Sequence, residues 1–293
     1  MVRFFAFGDL HYDEMSDGDR RIDELLYHIK KSKPDFCISL GDCCYPQDKN
    51  KVVLRKLETA GIPIYYTIGN HETDYCHLEE VLKFYSLDSP YYSFGYGEYK
   101  FIVLDSCYWS NNGLEYSYYS RNYKEDGSNF PLIPVDEMKW LKKELEDGKK
   151  YIIFSHHSLA NDFKSRGIYN REEVRNLFHD KKVILCMNGH DHGDSLSVID
   201  KRPFYTVNSA SYVWLGTQIM HSKKLNQCYG YLNGKLPYKQ ALCVSVKIDE
   251  TEIKIKGIEG EYLSITPEDI ELYDYVWNGV SIKPRTSSHN IKY

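Results

Sequence analysis

The chain has 293 residues, 42% of them hydrophobic and 27% charged, with a formal net charge of -5. That balance excludes a disordered protein, and a chain of this size buries roughly three quarters of its unfolded surface without help from disulfides. The acidic balance also excludes a general electrostatic grip on nucleic acid or an anionic membrane, leaving only a local basic patch to be found. No apolar run approaches the ~18 residues of a membrane span. The opening Met1 to Asp9 lacks a long apolar core and a small-residue cleavage site, so it reads as a buried strand and not a signal peptide. Eight cysteines without a C-x-x-C pair read as free thiols, and the expected compartment is the cytoplasm.

In chain order, Val2 to Phe7 is the first apolar strand. Ile22, Leu25, Leu26 and Ile29 then share one helical face, and Pro34 blocks continuation. A strand over Phe36 to Leu40 precedes a helix carrying Val52, Val53 and Leu57 that ends at Gly61. A strand over Ile62 to Ile68, a helix over Leu78 to Tyr85 and a hairpin near Tyr91 to Phe94 and Phe101 to Leu104 follow. A helix opens at Pro134, Asp136 and Glu137 and closes at Gly148. Tyr151 to Phe154 is a strand, Arg171 to Phe178 a helix and Val183 to Met187 a strand. Beyond Gly193 strands are expected without helices, over Leu196 to Ile199, Phe204 to Val207, Leu242 to Ile248 and Ile253 to Ile258. The tail from Pro267 carries one short helix. This order suggests two sheets sandwiched by helices. The expected boundaries are one domain over 1–263 and a tail, 264–293, that packs on it or extends it.

Between Cys107 and Pro134 the composition turns aromatic, with Tyr108, Trp109, Tyr116, Tyr118, Tyr119, Tyr123 and Phe130 among Ser, Asn and Gly. The segment reads equally as a packed surface insertion or as a lid or substrate wall.

Five apolar strands end in short polar bursts: Gly8-Asp9-Leu10-His11, Gly41-Asp42, Gly69-Asn70-His71-Glu72, His156-His157 and Asn188-Gly189-His190-Asp191-His192. In an open α/β sheet the carboxyl ends of strands lie side by side where ligands bind, so these bursts should converge. The collected candidates are Asp9, His11, Asp42, Asn70, His156, His190 and His192. Carboxylate, amide and imidazole without thiolate suit Mn, Fe or Zn. His190 and His192, one residue apart on an extended segment, point in opposite directions and can serve two ions, which Asp42 can bridge. Two metals roughly 3.5–4 Å apart clamp an in-line displacement at phosphorus. Asp105, also at a strand end, reads as a structural hydrogen-bonding residue, and His77 and His179 as ordinary surface residues.

At these residues the sequence resembles the calcineurin-like metallophosphoesterase superfamily, whose blocks run D-x-H, G-D, G-N-H-[DE], a strand-terminal His and G-H-x-H. All five stand in order from Asp9 to His192, about two thirds of the chain. The resemblance implies a four-layer α/β/β/α sandwich with a dinuclear centre. It implies Asp9, His11, Asp42 and His192 on one metal, and Asp42, Asn70, His156 and His190 on the other. His71 is then no ligand but sits by the leaving group as a proton donor, with a bridging hydroxide as nucleophile. Tyr45 stands where many relatives carry a second Asp. Purple acid phosphatases place a metal-binding tyrosine there but lack the His of D-x-H, so the reading favours His11 as ligand and Tyr45 as a neighbour. The fourth block usually reads His-x-Pro; here His156 is favoured as the ligand and His157 as a substrate contact.

The resemblance implies a metal-dependent phosphoester hydrolase. A phosphodiester is slightly preferred over a phosphomonoester, and the substrate is small. Tyr12, Tyr108, Trp109, Tyr212 and Trp214 could stack on a base, which would favour a nucleotide, though such residues are more often packing. A long nucleic acid is disfavoured by the charge. A non-catalytic scaffold on the same fold is the reading from another class, and a single-metal hydrolase a third.

Overall fold

The computed structural model describes residues 1–122, 130–216 and 223–293. Its apolar runs pair into two six-stranded sheets. In the first, β1 (Val2–Phe7), β2 (Phe36–Ser39) and β3 (Ile64–Tyr66) are parallel neighbours. β14 (Val244–Ile248) pairs antiparallel to β1, and β15 (Glu252–Lys256) and β18 (His289–Lys292) extend that side. In the second, β5 (Tyr99–Val103), β8 (Lys150–Phe154), β9 (Val183–Asn188) and β11 (Arg202–Thr206) are parallel. β4 (Tyr92–Tyr96) and β10 (Ser195–Ile199) close its edges antiparallel.

Alternation along β1 sets the layers. Val2, Phe4 and Ala6 face inward, where they join Phe36, Phe101, Phe154, Leu185, Val246 and Ile255 in the core between the sheets. Phe5 and Phe7 face outward, under α1 (Gly18–Ser32), α2 (Lys51–Glu58) and α3 (Leu78–Tyr85). On the far side, Ile102, Ile153 and Cys186 meet α4 (Val135–Glu144) and α5 (Arg171–Asn176). The result is the four-layer α/β/β/α sandwich. α1 buries Ile22, Leu25, Leu26 and Ile29 and stops at Lys33, left-handed at φ 48°, just before Pro34.

The stretch after Gly193 is richer than its sequence suggests. It adds an antiparallel pair, β12 (Tyr212–Trp214) with β13 (Lys235–Pro237), and a helix, α6 (Lys223–Tyr229), where only strands are expected. α6 buries none of its residues, so it carries little of the apolar periodicity that announces a helix. The last thirty residues contribute a 3₁₀ turn at Pro267–Ile270, the short pair β16 (Val276–Trp277) and β17 (Val280–Ser281), and β18 on the sheet edge. A fourth apolar cluster, including Val213, Leu236, Tyr238, Tyr262 and Ile282, packs this region together. In the aromatic segment, β6 (Tyr108–Asn111) and β7 (Leu114–Ser117) form a hairpin; Tyr123 lies outside the described residues. All eight cysteines are free, and seven are buried. Among the described residues, no helix is long and apolar enough to cross a membrane.

Candidate metal centre

β1 and β2 leave their sheet side by side, and their loops stay bonded beyond it. Asp9 N–H donates to the Gly41 carbonyl at 3.0 Å, His11 to Asp42 at 2.9 Å and Tyr12 to Cys43 at 3.0 Å. Asp9, His11, Asp42, His190 and His192 all hold positive φ, at 52, 45, 52, 66 and 48°. Non-glycine residues carry a steric penalty there, and five of them at the strand ends of the two sheets mark a backbone held in a demanding shape. Gly69 lets the loops close: a Cβ there would lie 2.1 Å from Asp42 Oδ1.

The structure brings the expected residues of both sheets together. Single donor atoms of Asp9, His11 and His192 lie within 4.8 Å of one another, as do those of Asp9, Asp42 and His156. His11 Nε2 faces His192 Nε2 at 3.2 Å, and His192 Nε2 is 3.5 Å from Asp9 Oδ1. His156 Nε2 is 3.3 Å from both Asp42 Oδ2 and Asn70 Oδ1, and 3.2 Å from His190 Nδ1. Asp42 Oδ2 lies between the groups, 3.8 Å from His11 Nε2.

The far sides of the rings fix their tautomers. His156 Nδ1–H donates to the Leu40 carbonyl and His192 Nδ1–H to the Tyr212 carbonyl, both at 2.8 Å. Each Nε2 lone pair is thereby aimed at the centre, as outer-shell partners of metal-binding histidines do. Burial pushes His11 down to about 3 and Asp9 up to about 8. Burial also holds His192 far below its usual range, with His11 adding to the effect. For Asp42 burial acts upward, but the His156 and His71 imidazoles outweigh it and hold the carboxyl below its usual range. Burial acts downward on His156 too, but Asp42 outweighs it and raises this imidazole to about 9, so a cation binding there displaces its proton. Imidazoles, carboxylates and an amide oxygen around one point fit divalent cations, which offset the cost of burying Asp9 and Asp42 as anions.

His71 stands beside this cluster. Its backbone N–H donates to Asp42 Oδ1 at 2.9 Å, and its Nδ1 lies 2.9 Å from Asp74 Oδ2, which Arg121 also contacts at 2.9 Å. Asp42 and Asp74 outweigh burial and raise His71 to about 9. A cavity of about 670 Å³ opens over the centre. Its walls include His157, Tyr118, Phe130, Arg166, Trp214 and Lys235.

Of the remaining expected residues, His157 is buried at that wall with Nδ1 2.8 Å from the Ser106 hydroxyl. Tyr45 donates its hydroxyl to Glu14 at 3.1 Å and lines a small adjoining pocket with His11, Asp42 and His71. Tyr12 points away: its hydroxyl lies 3.4 Å from Asp19 on α1, and its ring packs on Gly18. Trp109 stacks on Tyr116 within the hairpin, whereas Tyr212 and Trp214 do face the cavity. Asp105 accepts the Cys107 N–H at 2.9 Å, the structural bond its position suggested.

Sequence reasoning missed several residues. Glu72 accepts the backbone N–H groups of Asp42, Cys43 and Gly69 at 2.9, 2.7 and 3.0 Å, pinning the β2 and β3 loops together. Glu14 accepts from Tyr212 and Lys235, both at 2.6 Å, beside His11. Arg166 reaches His190 Nε2 at 3.0 Å and lies over the Trp214 ring. Asp74, three residues after His71, had a readable signal in its spacing. Arg166, Arg121 and Lys235 come from separate loops and had none.

A sandwich whose strand ends gather nitrogen and oxygen donors from both sheets is a metal-binding α/β/β/α protein. Residues 2–194 match the model of the calcineurin-like phosphoesterase family, and the chain belongs to that family. Among solved structures it is similar to a dimetal phosphatase from Danio rerio, at 13% identity and a TM-score of 0.67, covering 100% of this chain and 99% of that one. It is also similar to GAP50, the anchor in the inner membrane complex of Plasmodium, at 15% identity and a TM-score of 0.59, covering 98% and 96%. At these identities the likeness is one of fold. No curated protein matches.

Proposed function

We propose that the protein hydrolyses a small phosphodiester with two divalent metal ions. Asp9, His11, Asp42 and His192 would hold one ion, and Asp42, Asn70, His156 and His190 the other. The observation that carries the reading is the pairing of donors around Asp42, with His11 on one side and His156 on the other at 3.8 and 3.3 Å. Bound there, the ions supply Lewis acidity toward phosphoryl oxygens and hydroxide near neutral pH. Mn, Fe and Zn all suit the donors.

The chain's own groups do the rest. His71, oriented by Asp74, donates a proton to the departing oxygen. Arg121, Arg166 and Lys235 around the cavity neutralise the phosphoryl oxygens, and His157 is a substrate contact. The diester preference rests on room: about 670 Å³ over the centre leaves space for a substituent on each side of the phosphorus. Tyr212 and Trp214 at the wall favour a base, hence a nucleotide, as one substituent.

The test compares an aryl phosphodiester with an aryl phosphomonoester, in Mn²⁺ and after chelation. The expected result is metal-dependent cleavage of the diester, reduced about 10²- to 10⁴-fold in His71→Ala with metal content unchanged. Cleavage of the monoester alone overturns the diester preference. A metal-loaded protein inactive on a broad panel of nucleotides and diesters overturns the catalytic reading.

A further inference from the structure

The three helices α1, α2 and α3 cover the first sheet on the side of β1 to β3, and the outer faces of β14 and β15 form an open floor beside α1. Arg3, Lys247, Lys254 and Lys256 all face outward there, although the whole chain is acidic. In register, Arg3 on β1 lies opposite Lys247 on β14, and Lys247 lies opposite Lys254 on β15. One row across three strands is thus three cations. In the next row Lys256 faces Ser245. Like charges directly opposite in a sheet are destabilising, and surface strands ordinarily alternate sign.

These side chains surround a cavity of about 440 Å³, walled by Arg3, His28, Lys31, Lys247, Lys254 and Lys256 and floored by Phe5 and Cys243. Lys254 is paired with Glu252 at 2.5 Å, and the Asp35 carboxylate accepts the Arg3 backbone N–H at 2.7 Å. Among the described residues, no carboxylate lies within ion-pair distance of Lys31, Lys247, Lys256 or the Arg3 guanidinium. Arg3 lies near the start of β1, six residues before Asp9 just beyond its end and about 20 Å from the metal centre, so substrate there does not account for the charge.

We infer that this cavity is a second binding site, for a soluble, multiply phosphorylated anion. The volume is that of a small-molecule site. Four cations without carboxylate partners converge from three strands and a helix on one concavity, which suits clustered phosphate groups. A membrane surface or a nucleic acid would call for the same charges on a protruding or extended face; here they line a recess between α1 and the sheet.

The probe is inorganic tripolyphosphate, titrated calorimetrically into the full chain in EDTA, so that metal chelation by the probe plays no part. One equivalent should bind, and more weakly as NaCl rises. Two variants, Lys247→Gln/Lys254→Gln on the floor and Lys31→Glu on the helix wall, should each lower the affinity at least about tenfold. The floor variant should keep the wild-type rate of metal-dependent hydrolysis. Its Tm without probe should equal or exceed that of wild type, because the like-charge row is relieved. Equal tripolyphosphate affinity in wild type and both variants overturns the proposal. So does sedimentation with phosphatidylserine vesicles, or retention of single-stranded DNA, by a protein that does not bind tripolyphosphate.

Discussion

Asp105 closes β5 with its carboxyl wholly buried; Oδ1 accepts the Cys107 N–H, while Oδ2 is buried without a hydrogen-bond partner. Burial raises this carboxyl to about 7, so the fold prefers it protonated. The unfolded chain releases that proton near the ordinary carboxyl value of 3.8, and from there up to about 7 the folded state binds more protons. Stability from this residue is therefore present in acid and lost as pH rises through that window. Asp105→Asn keeps the accepting oxygen and removes the ionisation. The variant's stability should gain on wild type as pH rises from 4 to 8, toward a few kcal/mol at most, read as a widening difference in Tm. A constant difference in Tm across that range would show that Asp105 does not titrate in the window. Arg21 makes a different point at this scale: it lies fully buried on α1 and donates to Asp17 and to the carbonyls of Ala210, Gln240 and Tyr238. Apart from Asp17, its partners lie 189 to 219 residues away, so nothing in the local sequence marks it as interior.

Among the elements, the turn after β2 carries the most exacting geometry. Gly41 holds φ at 95°, and a Cβ there would lie 2.4 Å from His156 Nδ1, on the ring that bonds Leu40. Gly41→Ala is strained in its own backbone and displaces a candidate ligand from the opposite sheet. The variant should lose more than about 1 kcal/mol of stability and should retain less metal after dialysis, measured by elemental analysis. Wild-type Tm together with wild-type metal content would show that the turn and the ring have room to adjust. The strands that shape this edge were readable because their interiors are continuous apolar runs ending in Gly-Asp, Gly-Asn-His or Gly-His. β12, β13 and β16 to β18 were not, since elements of two to four residues, at a satellite cluster or on a sheet edge, leave no period to detect.

At the scale of the whole molecule, the centre joins two sheets whose facing sides pack mainly through apolar residues, with the Tyr92 hydroxyl bonding the Tyr66 backbone across them. Asp9, Asp42 and Asn70 come from the first sheet, and His156, His190 and His192 from the second. Cations held between them would couple the halves as well as serve the chemistry. Mn²⁺ at a hundredfold over its Kd should add about 2.7 kcal/mol to stability, several degrees of Tm in a calorimetric scan. Chelation should reverse it. A Tm indifferent to Mn²⁺ and EDTA would mean that the donors do not bind the ion tightly. The charge distribution belongs to this scale too: a net charge of -5 conceals a cationic recess on one sheet face.

The sequence by itself determined the layered α/β/β/α class, the strands of the inner core and the seven donor residues that converge, because apolar period and polar strand ends are local properties. It also marked His71 through its motif. Only the tertiary structure decided how those residues meet: the bonds from Leu40 and Tyr212 that orient His156 and His192, the Glu72 carboxylate that pins two loops, and the cavity walls drawn from Arg121, Arg166 and Lys235. It also turned Tyr12 toward Asp19 and set Arg3, Lys247 and Lys254 in one row. Most of these contacts join residues tens to hundreds of positions apart, and register and loop packing, which no local pattern encodes, bring them within reach.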